Sequence, residues 1–239
     1  MRANVLSDAI ARAQKAELAR RAGISRTTAL HLRDDISRAR VSTLRELALA
    51  LGYDIRIDLE RASDPLASAA ARSLLGDLDE SAEYREWVER LQRYCPSGEP
   101  LGIVDEAARV SAPQHRGGSV MLSGRNDADR LVSAGVASGA RWALSGAAAL
   151  EALGSNGGGT VLMWSEDVTR AAQLLGGTHR RVKAEAAADV VIAPAHPSVF
   201  EGSTQVDDVV LVSPVQAIID SFGLGGEVGA TARRVAEAW

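Results

Sequence analysis

The first 52 residues carry the apolar spacing of four amphipathic helices. The first spans residues 4–13, and its apolar stripe consists of Val5, Leu6, Ala9, Ile10 and Ala13. The second and third are short, and Gly23 separates them as a residue that accepts the left-handed backbone of a sharp turn. The fourth is predicted to open at a capping box formed by Thr43 and Glu46 and to stop at Gly52.

The third of these helices is predicted to present a polar face to solvent. Ser25 is a good N-cap residue, and helical spacing turns Ala29 and Leu32 inward. The side chains that this spacing leaves outside are Arg26, Thr27 and His31. A face of this kind can enter a DNA major groove. The alternative is a helical hairpin whose exposed arginines only keep the protein in solution.

Residues 53–59 alternate apolar and charged side chains with period two, which predicts a half-buried strand. A lone strand needs a partner. Two partners are open at this point: a sheet within the same chain, or the same segment of a second subunit.

A proline-containing stretch, residues 61–65, predicts the end of a first domain at residue 62. Residues 63–100 are then predicted to form a helical linker, with helices over 65–75 and 80–94. The second helix carries an apolar stripe of Tyr84, Trp87, Val88 and Leu91. A third region, residues 101–239, opens with a helix over 101–110.

From about residue 130 onward, short apolar runs alternate with helices. Strands are predicted over 161–164, 189–193 and 209–212. A helix over 166–175 carries Glu166 and Asp167 in its first turn, where the helix dipole favours acids. A second capping box, consisting of Ser213, Pro214 and Gln216, predicts a helix that ends at a glycine-rich turn. The expected fold class is therefore α+β: an all-α bundle with a trailing strand, followed by an α/β domain.

Charge divides the chain unevenly. Residues 1–62 hold twelve Lys and Arg against eight Asp and Glu, whereas the remainder holds fifteen against twenty-three. The net charges are therefore +4 and −8, and the basic part is predicted to be the one that meets nucleic acid.

Composition is that of an ordinary globular protein, with 46% apolar and 24% charged residues in a chain long enough for two domains. A single cysteine, Cys95, excludes an internal disulfide framework. There is no apolar run of membrane-spanning length and no signal-peptide pattern, so a bacterial-type cytoplasmic location is expected.

The four helices, Gly23 and the run over 43–52 resemble the lambda-repressor-like, or Xre, family of helix-turn-helix domains, over residues 3–60. The resemblance implies that base edges are contacted from the third helix, by Arg26, Thr27 and His31 with Ser25 and Thr28 beside them. It implies phosphate contacts at the start of the second helix, by Lys15 or by Gln14, because this chain has Lys15 where glutamine is common. Arg38 and Arg40 are implied to hold the DNA backbone from the following loop.

Arg26 is the first candidate for direct readout, because an arginine can form two hydrogen bonds with guanine. A homodimer is expected, since helix-turn-helix modules usually read two half-sites one helical turn apart. Segment 53–59 resembles the extra strand that can pair between subunits in Xre-type antitoxins.

Residues 141–150 and 213–220, with the glycine-rich turn that follows, resemble the C-terminal domain of AbiEi-type antitoxins. The resemblance spans roughly residues 100–239 and implies an α/β domain like a degenerate nucleotidyltransferase fold. It also implies an autorepressor that binds a double-stranded DNA operator and acts as the antitoxin of a nucleotidyltransferase-like toxin. Many relatives carry a winged helix at the front, so details of the DNA site do not transfer.

Two other functions are considered for the C-terminal domain. A transcriptional regulator could use it to sense a small molecule. A nucleotidyltransferase is less favoured: Ser145 and Gly146 before a helix suit a phosphate, but metal-assisted transfer also needs acids on the next strand, and 161–164 has none. The alternative for this pair of small residues is close packing of a helix on the sheet.

No metal or cofactor is expected. The four histidines are scattered, and the glycine-rich run over 154–159 lacks the lysine of a P-loop. A basic run over 179–183 suits nucleic acid, an acidic partner, or an edge strand protected by charge.

Overall fold

The computed structural model describes residues 4–34, 36, 39–125, 127–156 and 158–238. The chain divides into two compact units, Met1–Glu60 and Arg61–Trp239. The described residues form twelve α-helices and one mixed sheet of seven strands, which confirms the mixed α+β class at this coarse level. Within the described ranges, no helix combines the length and the apolar character that crossing a membrane requires.

The first unit is a bundle of four short helices: α1 (Asn4–Arg12), α2 (Lys15–Arg21), α3 (Arg26–Asp34) and α4 (Val41–Ala50). Side chains from all four meet in a small core that contains Ile10, Leu18, Ala22, Leu32, Leu47 and Ala50. Gly23 has φ +64° in the turn between α2 and α3, as its position in the sequence predicts.

The capping box predicted at Thr43 and Glu46 is wrong. The fourth helix begins two residues earlier, at Val41, and its N-cap residue Arg40 makes no side-chain capping bond. Both Thr43 and Glu46 therefore lie inside α4. Leu47 and Ala48 are buried in the bundle, so packing of the apolar face stabilises α4 without the predicted capping box.

Residues 53–59 do not form the predicted strand. The described part of the first unit contains no strand at all, and every strand of the sheet lies between residues 120 and 211. The possibility of pairing within the same chain is therefore wrong. A period-two pattern forms a strand only where a neighbouring strand supplies hydrogen bonds, and none lies beside this segment.

The second unit opens with three helices, α5 (Pro65–Leu74), α6 (Arg85–Tyr94) and α7 (Pro100–Ser111). The sheet region that follows consists of β1 (Val120–Ser123), α8 (Ala128–Ser138), β2 (Trp142–Gly146), α9 (Ala147–Ala152), β3 (Val161–Ser165), α10 (Val168–Leu175), β4 (Arg180–Arg181), β5 (Val190–Pro194), β6 (Thr204–Val206), β7 (Val209–Leu211), α11 (Pro214–Leu224) and α12 (Gly226–Glu237).

The strand order is β4-β1-β5-β3-β2-β7-β6. The β3–β5 and β2–β7 pairs are parallel, and the other pairs are antiparallel. Every residue of β2 and β3 is buried, so helices cover both faces of the central sheet. The short, exposed β4 lies at one edge of the sheet, which agrees with one of the three interpretations of the basic run, an edge strand protected by charge.

The segment expected to be a helical linker, 63–100, belongs to the second unit. Side chains from α5 and α6 lie in the same core cluster as the sheet. The second helix of this segment begins at Arg85 rather than at residue 80, and Tyr84 is its N-cap residue. Tyr84 and Leu91 are buried, so the apolar stripe predicted from the sequence faces the interior of the unit.

Candidate nucleic-acid interface

The candidate site lies around the turn between α2 and α3. Leu18 and Ala19 on α2 and Ala29 and Leu32 on α3 are buried, and they fix the two helices against the bundle core. The backbone N–H of Ile24 donates to the carbonyl of Ala19 at 3.0 Å, which closes the end of α2. The outward side of α3 is thereby held on a packed support.

Side chains on this outward side are exposed as predicted: Arg26, Thr27 and His31 all reach solvent. The hydroxyl of Ser25 accepts the backbone N–H of Thr28 at 3.0 Å, so Ser25 is the N-cap residue that its sequence position indicates. The two hydroxyls of Ser25 and Thr28 also lie 2.8 Å apart. Both residues are exposed, but the geometry gives them a capping role first.

The candidate phosphate contacts lie at helix starts. Lys15 is the first residue of α2, and Gln14 is the N-cap residue of that helix. Arg40 is the N-cap residue of α4. All three are exposed. Backbone N–H groups at helix starts add to the attraction for anions. Arg38, the remaining candidate, lies outside the described residues.

Some of the described cations of the first unit carry free positive charge: the candidates Lys15, Arg26 and Arg40, and also Arg12 and Arg21. Its salt bridges among the described residues join Arg20 to Glu17 at 2.6 Å, Arg45 to Asp54 at 3.5 Å and Arg56 to Asp58 at 3.4 Å. The hydrogen bond between Arg20 and Glu17 lowers the pKa of Glu17 and raises that of Arg20. Within the same described residues, Lys15, Arg26 and Arg40 have no carboxylate partner, so their charge is available to a ligand.

The two acids that follow β3, Glu166 and Asp167, have structural contacts. The carboxylate of Asp167 accepts the backbone N–H of Arg170 at 2.9 Å and caps α10. Glu166 accepts the backbone N–H of Arg141 at 3.4 Å. Ser145 is fully buried, and a Cβ at Gly146 would meet the carbonyl of Thr160 at 2.6 Å. This pair of small residues therefore allows close packing at the end of β2.

A buried polar cluster in the second unit is the feature that the sequence did not reveal. Asp220, on α11, accepts hydrogen bonds from Ser145 Oγ, Trp164 Nε1 and Gln216 Nε2, each at 2.7 Å. Gln216 was predicted to complete a capping box with Ser213. Ser213 does cap α11, but the Gln216 side chain turns to Asp220 instead. An acid inside an apolar helix, four residues after a glutamine, was the available signal.

Arg116 closes the same cluster from the other side. Its guanidinium carbon lies 4.6 Å from the centroid of the Trp164 ring, and Nη1 donates to the carbonyl of Pro194 at 3.3 Å. Burial lowers the pKa of Arg116. Its Nε and Gln216 Oε1 are buried without a hydrogen-bond partner among the described residues.

The described residues contain no group of three or more His, Cys, Asp or Glu side chains placed to hold a metal ion. Comparison of the chain with models of known protein families, with curated proteins and with solved structures finds no match.

Proposed function

We propose that the chain is a DNA-binding transcriptional autorepressor that acts in the bacterial cytoplasm, as a homodimer, as the antitoxin of a toxin–antitoxin pair. The observation that carries this proposal is the outward side of α3. It presents Arg26, Thr27 and His31 from a helix whose opposite side is anchored in a packed core. The part of the chain that contains it, residues 1–62, has a net charge of +4.

On this proposal, α2, the Gly23 turn and α3 form a helix-turn-helix, and α3 is the recognition helix. Its length, nine residues, suits insertion of its first two turns into a major groove. Arg26 lies at the start of α3, which is where recognition helices contact base edges. Lys15 and Arg40 would then bind phosphates on either side.

The antitoxin part of the proposal is supported by two sequence segments, 141–150 and 213–220, which resemble AbiEi-type antitoxins. They are distant in the chain, yet the hydrogen bond from Ser145 to Asp220 joins them in the interior. The two segments therefore meet in the interior of the second unit. The second unit would then be an inactive relative of nucleotidyltransferases, and its partner a nucleotidyltransferase-like toxin.

A gel-shift titration with the DNA upstream of the chain's own gene tests the DNA-binding part. We expect Arg26→Ala to weaken binding to that site by about 1–3 kcal/mol, and to leave binding to scrambled DNA nearly unchanged. Arg20→Ala is the matched control, because it removes the same charge from a guanidinium already held by Glu17. Equal effects of the two variants on both DNAs would remove Arg26 from base readout.

A second candidate function, small-molecule sensing, is favoured by one groove in the second unit. The groove has a volume of about 540 Å³ and is lined by Arg61, Arg109, His115 and Phe222, among others. Its size suits a small ligand. Gene context separates the two candidates: a neighbouring reading frame for a nucleotidyltransferase-like protein supports the antitoxin, and a metabolic operon supports the sensor.

A further inference from the structure

One large apolar side chain, Leu30, lies on the exposed side of α3. Leu30 is 39% exposed, whereas Ala29 and Leu32 on the packed side are 5% and 8% exposed. Leu30 belongs neither to the core cluster of the first unit nor to the partly buried side chains packed against that cluster. Among the described side chains of α3, it is the only large apolar one that reaches solvent to this extent. The bundle core therefore does not account for a leucine at this position.

Leu30 lies between two of the base-reading candidates. With 3.6 residues per turn, it is about 40° around the helix axis from Arg26 and about 60° from Thr27. Side chains three or four residues apart on a helix are neighbours, with about 5–6 Å between their Cβ atoms. Any surface that Arg26 and Thr27 contact together must therefore also cover Leu30.

The major groove of DNA offers one apolar group that suits an exposed leucine. Thymine carries a C5-methyl group there, whereas the other three bases present hydrogen-bond donors and acceptors without a methyl group. A leucine placed over those polar groups would displace water without replacing its hydrogen bonds, which costs free energy. A leucine in the groove therefore discriminates in favour of thymine.

We propose that Leu30 is a specificity-determining residue and contacts the C5-methyl group of a thymine in the major groove. The inference rests on the proposed function, because it takes α3 as the recognition helix. Leu30 follows Arg26 by four residues, a rise of about 6 Å, and consecutive base pairs are about 3.4 Å apart. The thymine should therefore lie within about two base pairs of the guanine that Arg26 contacts.

Replacement of single thymines by deoxyuridine tests the contact, because it removes the methyl group and keeps the hydrogen-bond groups of the base. Gel-shift titrations use the full chain and the DNA upstream of its own gene, with each thymine of the bound site replaced in turn. We expect a thymine in each half-site at which the replacement weakens binding about fourfold, as for one apolar carbon removed from contact.

Variants at position 30 show whether Leu30 is the group that contacts the methyl group. Leu30→Ala should weaken binding to the unmodified site and should make binding insensitive to deoxyuridine at that thymine. Leu30→Met keeps an apolar side chain of similar volume and should retain the sensitivity. The matched control is Leu49→Ala, because Leu49 is a leucine of similar exposure, 47%, on α4. This control should retain the full effect of the methyl group.

A different base can return the methyl group to the same place in the groove. Cytosine in place of the sensitive thymine should weaken binding of the parent chain, and 5-methylcytosine at that position should recover part of the loss. Leu30→Ala should bind the two cytosine-containing sites equally. Equal binding of those two sites by the parent chain would exclude a contact between Leu30 and the methyl group.

Two further results would overturn the inference and leave the proposed function standing. One is specific binding by the parent chain that no thymine methyl group affects, and this measurement requires no variant to fold. The other is a methyl effect that persists undiminished in Leu30→Ala. The effect of Arg26→Ala on discrimination is measured separately and decides whether α3 reads bases. Absence of specific binding to the upstream DNA would overturn the proposed function and this inference together.

Discussion

Asp220 is a fully enclosed carboxyl group whose surroundings act on its charge in opposite directions. Burial disfavours the carboxylate, whereas the donors Trp164, Ser145 and Gln216 and the positive charge of Arg116 favour it. Burial outweighs them and raises the pKa of Asp220 to about 6 from an ordinary value of 3.8. The buried site therefore holds a group that changes charge within the range of ordinary buffers.

This raised pKa sets the sign of a pH dependence. The folded chain binds the Asp220 proton more tightly than the unfolded chain does. The contribution of this proton to the free energy of unfolding is therefore complete below pH 4 and is lost as pH rises through 6. Relative to Asp220→Asn, which stays neutral, the unsubstituted chain should lose about 2–3 kcal/mol of unfolding free energy between pH 4 and pH 7. Gln216 Oε1, which lacks a partner, can accept from the new amide after a flip.

Urea unfolding followed by tryptophan fluorescence measures this difference, because all four tryptophans lie after residue 61 and report on the second unit. Glu185→Gln is the control of opposite sign. The hydrogen bond from His115 lowers the pKa of Glu185. The stabilisation that the ionised Glu185 side chain contributes is therefore present at neutral pH and lost as pH falls. Parallel pH profiles for the parent chain and Asp220→Asn would contradict a raised pKa.

At the scale of elements, the proposed function assigns two kinds of DNA contact to different positions. On that proposal, Arg26 at the start of α3 contacts base edges, and Lys15 and Arg40 at the starts of α2 and α4 contact phosphates. Phosphate contacts release counterions whatever the sequence, whereas base contacts depend on it. The same loss of one positive charge should therefore have different signatures at these positions.

Binding titrations over a range of salt concentrations measure those signatures. Lys15→Ala and Arg40→Ala should weaken specific and scrambled DNA alike, and each should reduce the salt slope by about one per copy of the chain. Arg26→Ala should reduce discrimination between the two DNAs instead. A salt slope unchanged by both Lys15→Ala and Arg40→Ala would exclude them as phosphate contacts.

Elements with local signals were predictable from the sequence. Ser25 and Ser213 cap the helices that they were expected to cap, and the apolar runs of β3, β5 and β7 are strands. The candidate residues on α3 lie on its exposed side because helical spacing alone decides which face packs inward. These predictions needed only neighbours in the sequence.

Elements that depend on distant partners were not predictable in the same way. The strand expected over 53–59 lacks a neighbour within the chain, and Gln216 turned from its expected cap to Asp220. Strand β1 was not predicted, because it is short and only its residue Leu122 is fully buried. The Asp220 cluster joins Arg116, Ser145 and Trp164 across the sheet, and no local pattern contains such a contact.

At the scale of the whole molecule, the first residues of the second unit form hydrogen bonds with the rest of that unit. Asp64 caps α5 by accepting from Leu66 N at 3.0 Å, accepts Trp87 Nε1 at 2.8 Å, and donates its own N–H to Val110. Ser63 Oγ donates to the carbonyl of Ala112 at 2.6 Å. A cut within this stretch would remove contacts that belong to the second unit.

The place of the cut therefore decides how the separated second unit behaves. A fragment of residues 61–239 should fold as the second unit does in the full chain, because its core cluster lies entirely within it. A fragment of residues 66–239 loses the Asp64 cap and the partner of Trp87, and should be less stable by at least about 1 kcal/mol. Urea unfolding, again followed by tryptophan fluorescence, compares the two fragments; equal stability would show that these contacts contribute nothing.

The same division tests which unit protects against a toxin. Residues 1–62 should fold and bind DNA weakly alone, since a small domain buries little surface and one half-site offers few contacts. If protection works by contact, residues 61–239 should rescue growth when the adjacent toxin gene is induced, and Arg26→Ala in the full chain should rescue equally. If protection works only through repression, neither the fragment of residues 61–239 nor the Arg26→Ala variant should rescue growth. Rescue by residues 1–62 without rescue by residues 61–239 would place the antitoxin activity in the first unit. On the present proposal, only that unit offers the DNA contacts that repression needs.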